Sequence, residues 1–240
     1  MKSAIGIIPA RYGARRFPGK PLAKILGKPM IQWVYERSSS SNALKKVIIA
    51  TDDERIQNAA GSFGAETILT SSHHPSGTDR VAETARKLNV PLIVNIQGDE
   101  PLIRGEMITS LVNALQDDTA AMATLAVKSR DDRLLKDENT VKVVFDKEEY
   151  ALYFSRSPIP YNSDHFWIHI GIYGYRREFL LEFSKLKPTY LENREKLEQL
   201  RALEYGYKIK IIESAHSTLS VDVPGDISKI EKILEKEEYA

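Results

Sequence analysis

The chain has 240 residues, of which 42% are hydrophobic, and this length allows one large domain or a core with a small subdomain. Its formal net charge of +1 disfavours a nucleic-acid module, and the absence of cysteine excludes disulfides, thiolate metal ligands and a cysteine nucleophile. No apolar stretch approaches the roughly 20 residues that span a bilayer, and the N-terminus is typical of a strand rather than a signal peptide, so we expect a cytoplasmic protein.

The first predicted strand, residues 4–8, leads into a loop with four cations: Arg11, Arg15, Arg16 and Lys20. Glycines and prolines keep this loop out of helical geometry. In α/β proteins, a strand that ends in a Gly-rich cationic loop is typical of polyphosphate binding. The loop matches neither the Walker A pattern nor the G-x-G-x-x-G fingerprint, which excludes a P-loop NTPase and an ordinary Rossmann dehydrogenase. The alternative is a solvated basic loop.

Strands and helices alternate through the first half of the chain. The predicted strands are 46–50, 66–69, 92–96 and 122–127, and the predicted helices lie near 30–39, 54–63, 79–88 and 106–115. Apolar strands that alternate with amphipathic helices indicate βαβ units. We therefore predict an α/β fold with a mostly parallel central sheet.

Two carboxylates are candidate Mg²⁺ ligands. Asp99 follows the strand at 92–96, at the end of a parallel sheet where ligands bind, and Asp222 ends a short extended run before the last helix. The alternative for Asp99 and Glu100 is to cap the following helix, and Asp226 is expected to support the first helical turn. Asp52 and Asp53 also follow a strand, and we expect them to be helix caps.

The segment 73–80 contains two adjacent histidines and a Ser-Gly-Thr sequence that enters a helix. Ser76, Gly77 and Thr78 offer hydroxyls and backbone N–H groups that could close over a nucleobase or sugar. The same residues are an ordinary helix start, and both interpretations can hold together. His73 and His74 lack a third ligand at metal-binding spacing, so we expect them to be structural or polar-loop residues.

The pattern changes after residue 128. We predict an antiparallel hairpin from 141–146 and 150–155, a strand at 166–175, helices near 177–185 and 191–205, a strand at 208–212 and a last helix after Pro224. Arg156 offers a planar fork suited to a carboxylate. Glu198 and Gln199 should lie off the buried leucine stripe of their helix and suit sugar hydroxyls, with a solvated helix face as the alternative for Glu198.

Several segments resemble, in the same order along nearly the whole chain, the 3-deoxy-D-manno-octulosonate cytidylyltransferase family. Sugar nucleotidyltransferases share more widely the segments IPARYGARRFPGKPL and QGDEP. More specific to this family are YALYFSRSPIP, HIGIYGYR and LEQLR. The resemblance implies a Rossmann-like three-layer fold, with residues 1–128 and 207–240 as nucleotide-binding core and 129–206 as a sugar-binding and dimerisation subdomain.

The resemblance also implies an activity: the anomeric hydroxyl of 3-deoxy-D-manno-octulosonate (Kdo) attacks the α-phosphorus of CTP, giving CMP-Kdo for lipopolysaccharide and pyrophosphate. Implied roles are triphosphate binding for Arg11, Arg16 and Lys20, Mg²⁺ binding for Asp99 and Asp222, and cytidine contact for Ser76, Gly77 and Thr78. The sugar acid would be surrounded by Arg80, Gln97, Arg156, His169, Tyr173, Glu198 and Gln199. Family members are usually homodimers.

The chain departs from the family pattern at Arg15, Pro75 and Asp79 and in a shorter loop before His169. Because no compelling general base is found, we hypothesise that the metal, and not His169, activates the sugar hydroxyl. Alternatives are a nucleotidyltransferase for another sugar and a non-catalytic nucleotide sensor. The sequence does not distinguish Kdo from its variant with an amino group at C8.

Overall fold

The computed structural model describes residues 4–13 and 17–238, with side chains of the last helix described to residue 236. Arg15 and Arg16, two of the four predicted loop cations, lie outside the described residues. The chain divides into two compact units, Met1–Thr109 with Thr218–Ala240, and Ser110–Ser217. The second unit is thus larger than the predicted subdomain at 129–206. No helix in the described ranges is long and apolar enough to cross a membrane.

The strands agree closely with the apolar runs of the sequence. They are β1 (Ala4–Ala10), β2 (Lys24–Ile25), β3 (Lys28–Pro29), β4 (Leu44–Thr51), β5 (Glu66–Leu69), β6 (Leu92–Asn95), β7 (Met122–Ser129), β8 (Lys142–Phe145), β9 (Ala151–Ser155), β10 (Phe166–Arg176) and β11 (Ile209–Glu213). The short hairpin of β2 and β3 was not predicted, because two-residue strands carry no periodic signal.

The helices follow the amphipathic segments. They are α1 (Met30–Ser39), α2 (Glu54–Ser62), α3 (Gly77–Arg86), α4 (Gly105–Asp117), α5 (Asp132–Lys136), α6 (Arg177–Phe183), α7 (Tyr190–Glu195), α8 (Gln199–Glu204) and α9 (Ile227–Glu238). Two 3-10 turns lie at Lys20–Leu22 and Pro224–Asp226. Neither α5 nor the turn at Lys20–Leu22 was predicted.

The first unit contains parallel strands in the order β6-β1-β4-β5. Strands β1 and β6 are buried along almost their whole length, as their continuous apolar sequences require for a sheet covered by helices. A cluster that includes Met30, Leu102, Val221 and Ile230 packs α1 and α9 into this core. The predicted α/β class with a mostly parallel sheet is confirmed.

The second unit contains a mixed group of strands. Strand β10 pairs antiparallel with β7 and β8, β8 pairs antiparallel with β9, and β11 lies parallel to β7. The predicted antiparallel hairpin is therefore confirmed. Tyr175, Phe179 and Phe183 form an aromatic cluster with ring centroids 5.6–6.4 Å apart, which packs α6 onto this unit.

The prediction of a single helix at 191–205 is wrong, because the structure has two separate helices there, α7 and α8. Lys196 between them has a left-handed backbone with φ of 58°, which ends α7. Arg201 on α8 contacts Glu192 on α7 through its Nη2 atom at 2.5 Å from Oε1, and both side chains are largely buried. This ion pair joins α7 to α8, although the backbone between them is not helical.

Candidate active site

An open cavity of about 480 Å³ in the first unit contains most of the residues predicted to bind nucleotide. Several of them lie in loops that follow parallel strands, because the carboxyl ends of such strands meet at one edge of the sheet. Arg11 follows β1, Gln97 and Asp99 follow β6, and Ser76 opens α3. The predicted residues that line the cavity are Arg11, Lys20, Ser76, Gly77, Arg80, Gln97, Asp99 and Asp222.

Lys20 and Asp99 form an ion pair in this cavity. The Nζ atom of Lys20 lies 2.5 Å from Oδ2 of Asp99 and donates to the carbonyl oxygen of Val221 at 2.9 Å. The backbone N–H of Val221 in turn donates to the carbonyl oxygen of Asp99 at 2.9 Å. These bonds fix the segment before Asp222 against the loop after β6, so Lys20 and both predicted carboxylates share the cavity.

Tyr12 and Gly19, in the described parts of the cationic segment, contact each other. The N–H of Gly19 donates to the carbonyl oxygen of Tyr12 at 2.9 Å, and Gly19 has a φ of 72°. A Cβ atom at Gly19 would lie 3.2 Å from the Tyr12 ring, so both the backbone angle and the space favour glycine here. The guanidinium carbon of Arg55 lies 3.3 Å from the centroid of the Tyr12 ring.

A third carboxylate, Glu100, belongs to this cluster and was considered from the sequence only as a helix cap. Burial, together with the charges of Asp99 and Asp222, raises the pKa of Glu100 from 4.5 to about 7. Its Oε2 atom is buried and has no hydrogen-bond partner among the described residues. Nothing in the sequence around Glu100 distinguishes a buried glutamate from an exposed one.

The acidic cluster fits a divalent cation that is bound together with phosphate. No group of three or more His, Cys, Asp or Glu side chains in the described part of the chain could hold a metal ion by itself. Mg²⁺ is, however, usually held by one or two carboxylates, with phosphate oxygens and waters as the other ligands. Asp99 and Asp222 line the cavity together with Lys20, so the residues present fit such a site.

The segment before α3 starts a helix and also lines the cavity. Ser76 is the N-cap of α3, because its Oγ atom accepts from the N–H of Asp79 at 3.2 Å. Gly77 approaches Pro9, while Thr78 is buried and is not among the residues that line the cavity. His74 lies 2.5 Å from Glu83 through its Nε2 atom, which ties the segment to α3. The helix-start interpretation is confirmed for Ser76.

Arg80 is buried and paired at the floor of this cavity. Its Nη2 atom lies 3.1 Å from Oδ2 of Asp52, and its Nη1 atom donates to the hydroxyl of Thr70. The prediction of Asp52 as a helix cap is therefore wrong, because its side chain serves as the counterion of Arg80. Asp53 is the N-cap of α2 and accepts from the N–H of Arg55 at 2.9 Å. Asp226 also supports the first turn after Val223, as predicted.

The predicted sugar residues of the second unit form two groups. His169 and Tyr173 on β10 are neighbours with ring centroids 5.5 Å apart. Burial raises the pKa of Tyr173, and the negative charge of Glu198 raises it further. Glu198 therefore lies near this pair of rings. Arg156 is in a different setting, because its guanidinium donates to the carbonyl oxygens of Glu195 at 2.7 Å and Glu138 at 2.9 Å.

Gln199 differs from the prediction, which placed it off the buried leucine stripe. It is 4% exposed, and its Nε2 atom is buried without a hydrogen-bond partner in the described ranges. The separation of α7 from α8 explains the difference, because a single helix at 191–205 does not exist. The sequence also gave no signal for Lys142, whose buried ammonium donates to the carbonyl oxygens of Asp137, Thr140 and Arg156.

Comparisons with known proteins identify the class of the chain. Residues 5–211 match the model of a family described as cytidylyltransferase. The chain belongs to the cytidylyltransferase family.

Relatives of similar sequence confirm the resemblance that the sequence motifs indicated. The chain is 48% identical over 246 residues to a 3-deoxy-manno-octulosonate cytidylyltransferase of Geotalea uraniireducens, covering 96% of this chain and 98% of that protein. It is 51% identical over 240 residues to the protein of the same name from Syntrophobacter fumaroxidans, covering 96% of each.

Solved structures agree with these relatives. The structure of a CMP:2-keto-3-deoxy-manno-octonic acid synthetase complexed with CTP is 41% identical, with a TM-score of 0.94, and covers 98% of this chain and 99% of that one. A cytidylyltransferase from Leptospira borgpetersenii is 15% identical with a TM-score of 0.68, covering 98% of this chain and 88% of that one, and shows the shared fold alone.

Proposed function

We propose that this protein transfers CMP from CTP to the anomeric hydroxyl of Kdo and releases pyrophosphate. The names of its relatives and of the CTP-complexed structure support this reaction. The observation that carries the proposal is the cavity of the first unit, which Arg11 and Lys20 line together with Asp99 and Asp222. Cations for a triphosphate and carboxylates for a divalent ion are the groups that nucleotidyl transfer requires.

The roles of the first-unit residues follow from their charges. Arg11 and Lys20 neutralise phosphate oxygens, so that a nucleophile can approach the α-phosphorus. Asp99 and Asp222 would hold Mg²⁺, which supplies charge neutralisation and lowers the pKa of a bound hydroxyl. Ser76 and Gly77, at the start of α3, are candidates to contact the cytidine.

The second unit is proposed to hold the sugar acid. His169 is partly buried, and burial lowers its pKa to about 3, so the ring is neutral and weakly basic at pH 7. It is therefore suited to hydrogen bonding rather than to proton removal, which supports the hypothesis that it binds the sugar. Gln199 adds an amide nitrogen that has no hydrogen-bond partner among the described residues, and Glu198 adds a carboxylate; both groups are suited to hydroxyls. Two N–H groups of Arg156 already donate to backbone carbonyl oxygens, so Arg156 would bind a carboxylate only through its remaining N–H groups.

The experiment that tests the proposal is a pyrophosphate-release assay across a panel of nucleotides and sugar acids, with and without Mg²⁺. We expect release with CTP and Kdo in the presence of Mg²⁺, and the 8-amino variant of Kdo belongs in the panel. Release with a different nucleotide or sugar would replace the substrate assignment. Tight CTP binding without release on any sugar would instead identify a nucleotide sensor.

The proposed product would serve lipopolysaccharide synthesis, and we place the reaction in the cytoplasm, where CTP is made. We also propose a homodimer formed through the second unit. Leu152, Tyr161 and Tyr190 of this unit are large exposed side chains that such an interface would cover. Light scattering on the purified protein would test the dimer, and a monomer at micromolar concentration would contradict it.

A further inference from the structure

The hydroxyl of Thr124 lies where β10 departs from regular pairing. The register between β10 and β7 shifts between Ile170 and Tyr173, so that Tyr173 pairs with Thr124 and Ile170 with Leu125. Thr124 is fully buried on β7. Its Oγ1 atom lies 2.8 Å from the carbonyl oxygen of Ile172 and 3.1 Å from that of Ile170.

The same hydroxyl contacts the imidazole of His169. Oγ1 of Thr124 lies 2.9 Å from Nε2 of His169. A hydroxyl has one proton, and carbonyl oxygens can only accept. The Thr124 proton must point to one of these carbonyl oxygens. If it pointed to His169 instead, both carbonyl oxygens would face lone pairs of Oγ1, which is repulsive. Oγ1 is therefore an acceptor toward His169, and Nε2 of His169 carries the proton.

The other ring nitrogen of His169 is left as an acceptor. Phe154 packs edge-on against the ring with centroids 5.0 Å apart, and Tyr173 packs at 5.5 Å, which restricts rotation of the imidazole. Within the described residues, the side-chain hydrogen bond of His169 is the one that Nε2 makes with Thr124, and His169 is half-buried rather than fully buried. Because burial keeps the ring neutral, Nδ1 retains its lone pair.

We propose that Thr124 is a positioning residue, which fixes the Nε2–H tautomer of His169 so that Nδ1 accepts a hydrogen bond from a hydroxyl of the sugar acid. The identity of the donor rests on the proposed function, whereas the tautomer does not. Thr124 is not among the residues that the sequence motifs singled out. Its role is defined by the hydrogen bonds at the irregular pairing of two strands.

The tautomer is tested first in the wild-type protein without ligands, by ¹⁵N NMR of the histidine side chains at pH 7.5. The His169 signal is assigned by its loss in His169→Gln. We expect a protonated Nε2 and an unprotonated Nδ1. A protonated Nδ1 would overturn the proposal, and this measurement stands even if no sugar substrate is turned over or if a Thr124 variant fails to fold.

The role of Thr124 is then tested with Thr124→Val, which removes the hydroxyl, and Thr124→Ser, which retains it. We expect Thr124→Val to raise the KM for Kdo about three- to tenfold, as for the loss of one hydrogen bond, with a smaller change in kcat. The KM for CTP should stay near the wild-type value. Thr124→Ser should keep the wild-type KM for Kdo and the wild-type NMR signals of His169.

Two kinetic outcomes would overturn the proposal. An unchanged KM for Kdo in Thr124→Val would show that the hydroxyl does not position His169. Equal impairment of the Val and Ser variants would assign the effect to packing of the Thr124 methyl group. Absence of any transfer to Kdo by the wild-type protein would refute the proposed function, and the NMR measurement would then decide the tautomer by itself.

Discussion

Replacement of Glu100 by glutamine is expected to change how the stability of the protein depends on pH. The pKa of Glu100 is about 7 in the folded protein against 4.5 as its ordinary value. Below pH 4.5 the carboxyl is protonated in both folded and unfolded states. Between pH 4.5 and 7 the unfolded chain loses the proton first, so this group lowers the stability of the folded state as pH rises.

The size of the effect follows from the same two pKa values. The interval from 4.5 to about 7 corresponds to about 3 kcal/mol, at roughly 1.4 kcal/mol per pH unit. In Glu100→Gln this loss is absent. The variant should therefore gain up to about 3 kcal/mol over wild type between pH 4.5 and 8, with the difference reached by about pH 8.

Urea unfolding of both proteins at half-unit steps from pH 4.5 to 8 measures this difference. Glu54→Gln, on the exposed first turn of α2, is the matched control and should run parallel to wild type. The experiment needs metal-free buffer without nucleotide, because a cation beside Asp99 would favour the charged form of Glu100. Parallel curves for wild type and Glu100→Gln would refute the assignment of a raised pKa to this group.

Three further predictions concern the site and its support. Asp99→Ala should abolish pyrophosphate release, whereas His169→Ala should mainly raise the KM for Kdo in the same steady-state assay. Gly19→Ala should lower the free energy of unfolding by about 1–2 kcal/mol in urea, because alanine disfavours a φ of 72°, and should raise the KM for CTP. Arg201→Met should cost about 3 kcal/mol in the same unfolding experiment, because it leaves the buried partner carboxylate on α7 without its cation.

Matched variants separate these effects from general damage. Gly13→Ala adds a Cβ atom with nothing within 4 Å and should leave stability unchanged. Arg133→Met breaks an exposed pair with Asp131 and should have little effect on unfolding. A His169 variant with normal KM and collapsed kcat would contradict the binding role. Equal losses for Arg201→Met and Arg133→Met would contradict the buried ion pair.

The features that could be predicted are those with a strong local signal. Continuous apolar runs located β1, β4 and β6. Amphipathic periodicity predicted a helix near 30–39, where the structure has α1. Residues that follow parallel strands were expected to meet at one sheet edge, and Arg11 and Asp99 do line one cavity. The roles assigned to these residues stay predictions until they are measured.

The features that could not be predicted depend on contacts between distant segments. Lys196 carries no sequence signal for a left-handed backbone, so the break between α7 and α8 was missed and Gln199 was placed on the wrong face. Glu100 acquires its raised pKa from burial and from Asp222, which is far away in sequence. Thr124 is one threonine among many until the strand pairing places its hydroxyl beside His169.

In the structure without ligands, the ammonium group of Lys20 is the counterion of the Asp99 carboxylate. A divalent ion that approaches Asp99 must compete with an ammonium group 2.5 Å away, so the ion alone should bind weakly. If the proposed roles hold, the phosphates of a nucleotide would offer Lys20 another partner and would leave Asp99 available to a metal ion. By thermodynamic linkage, metal and nucleotide should then each increase the affinity of the protein for the other.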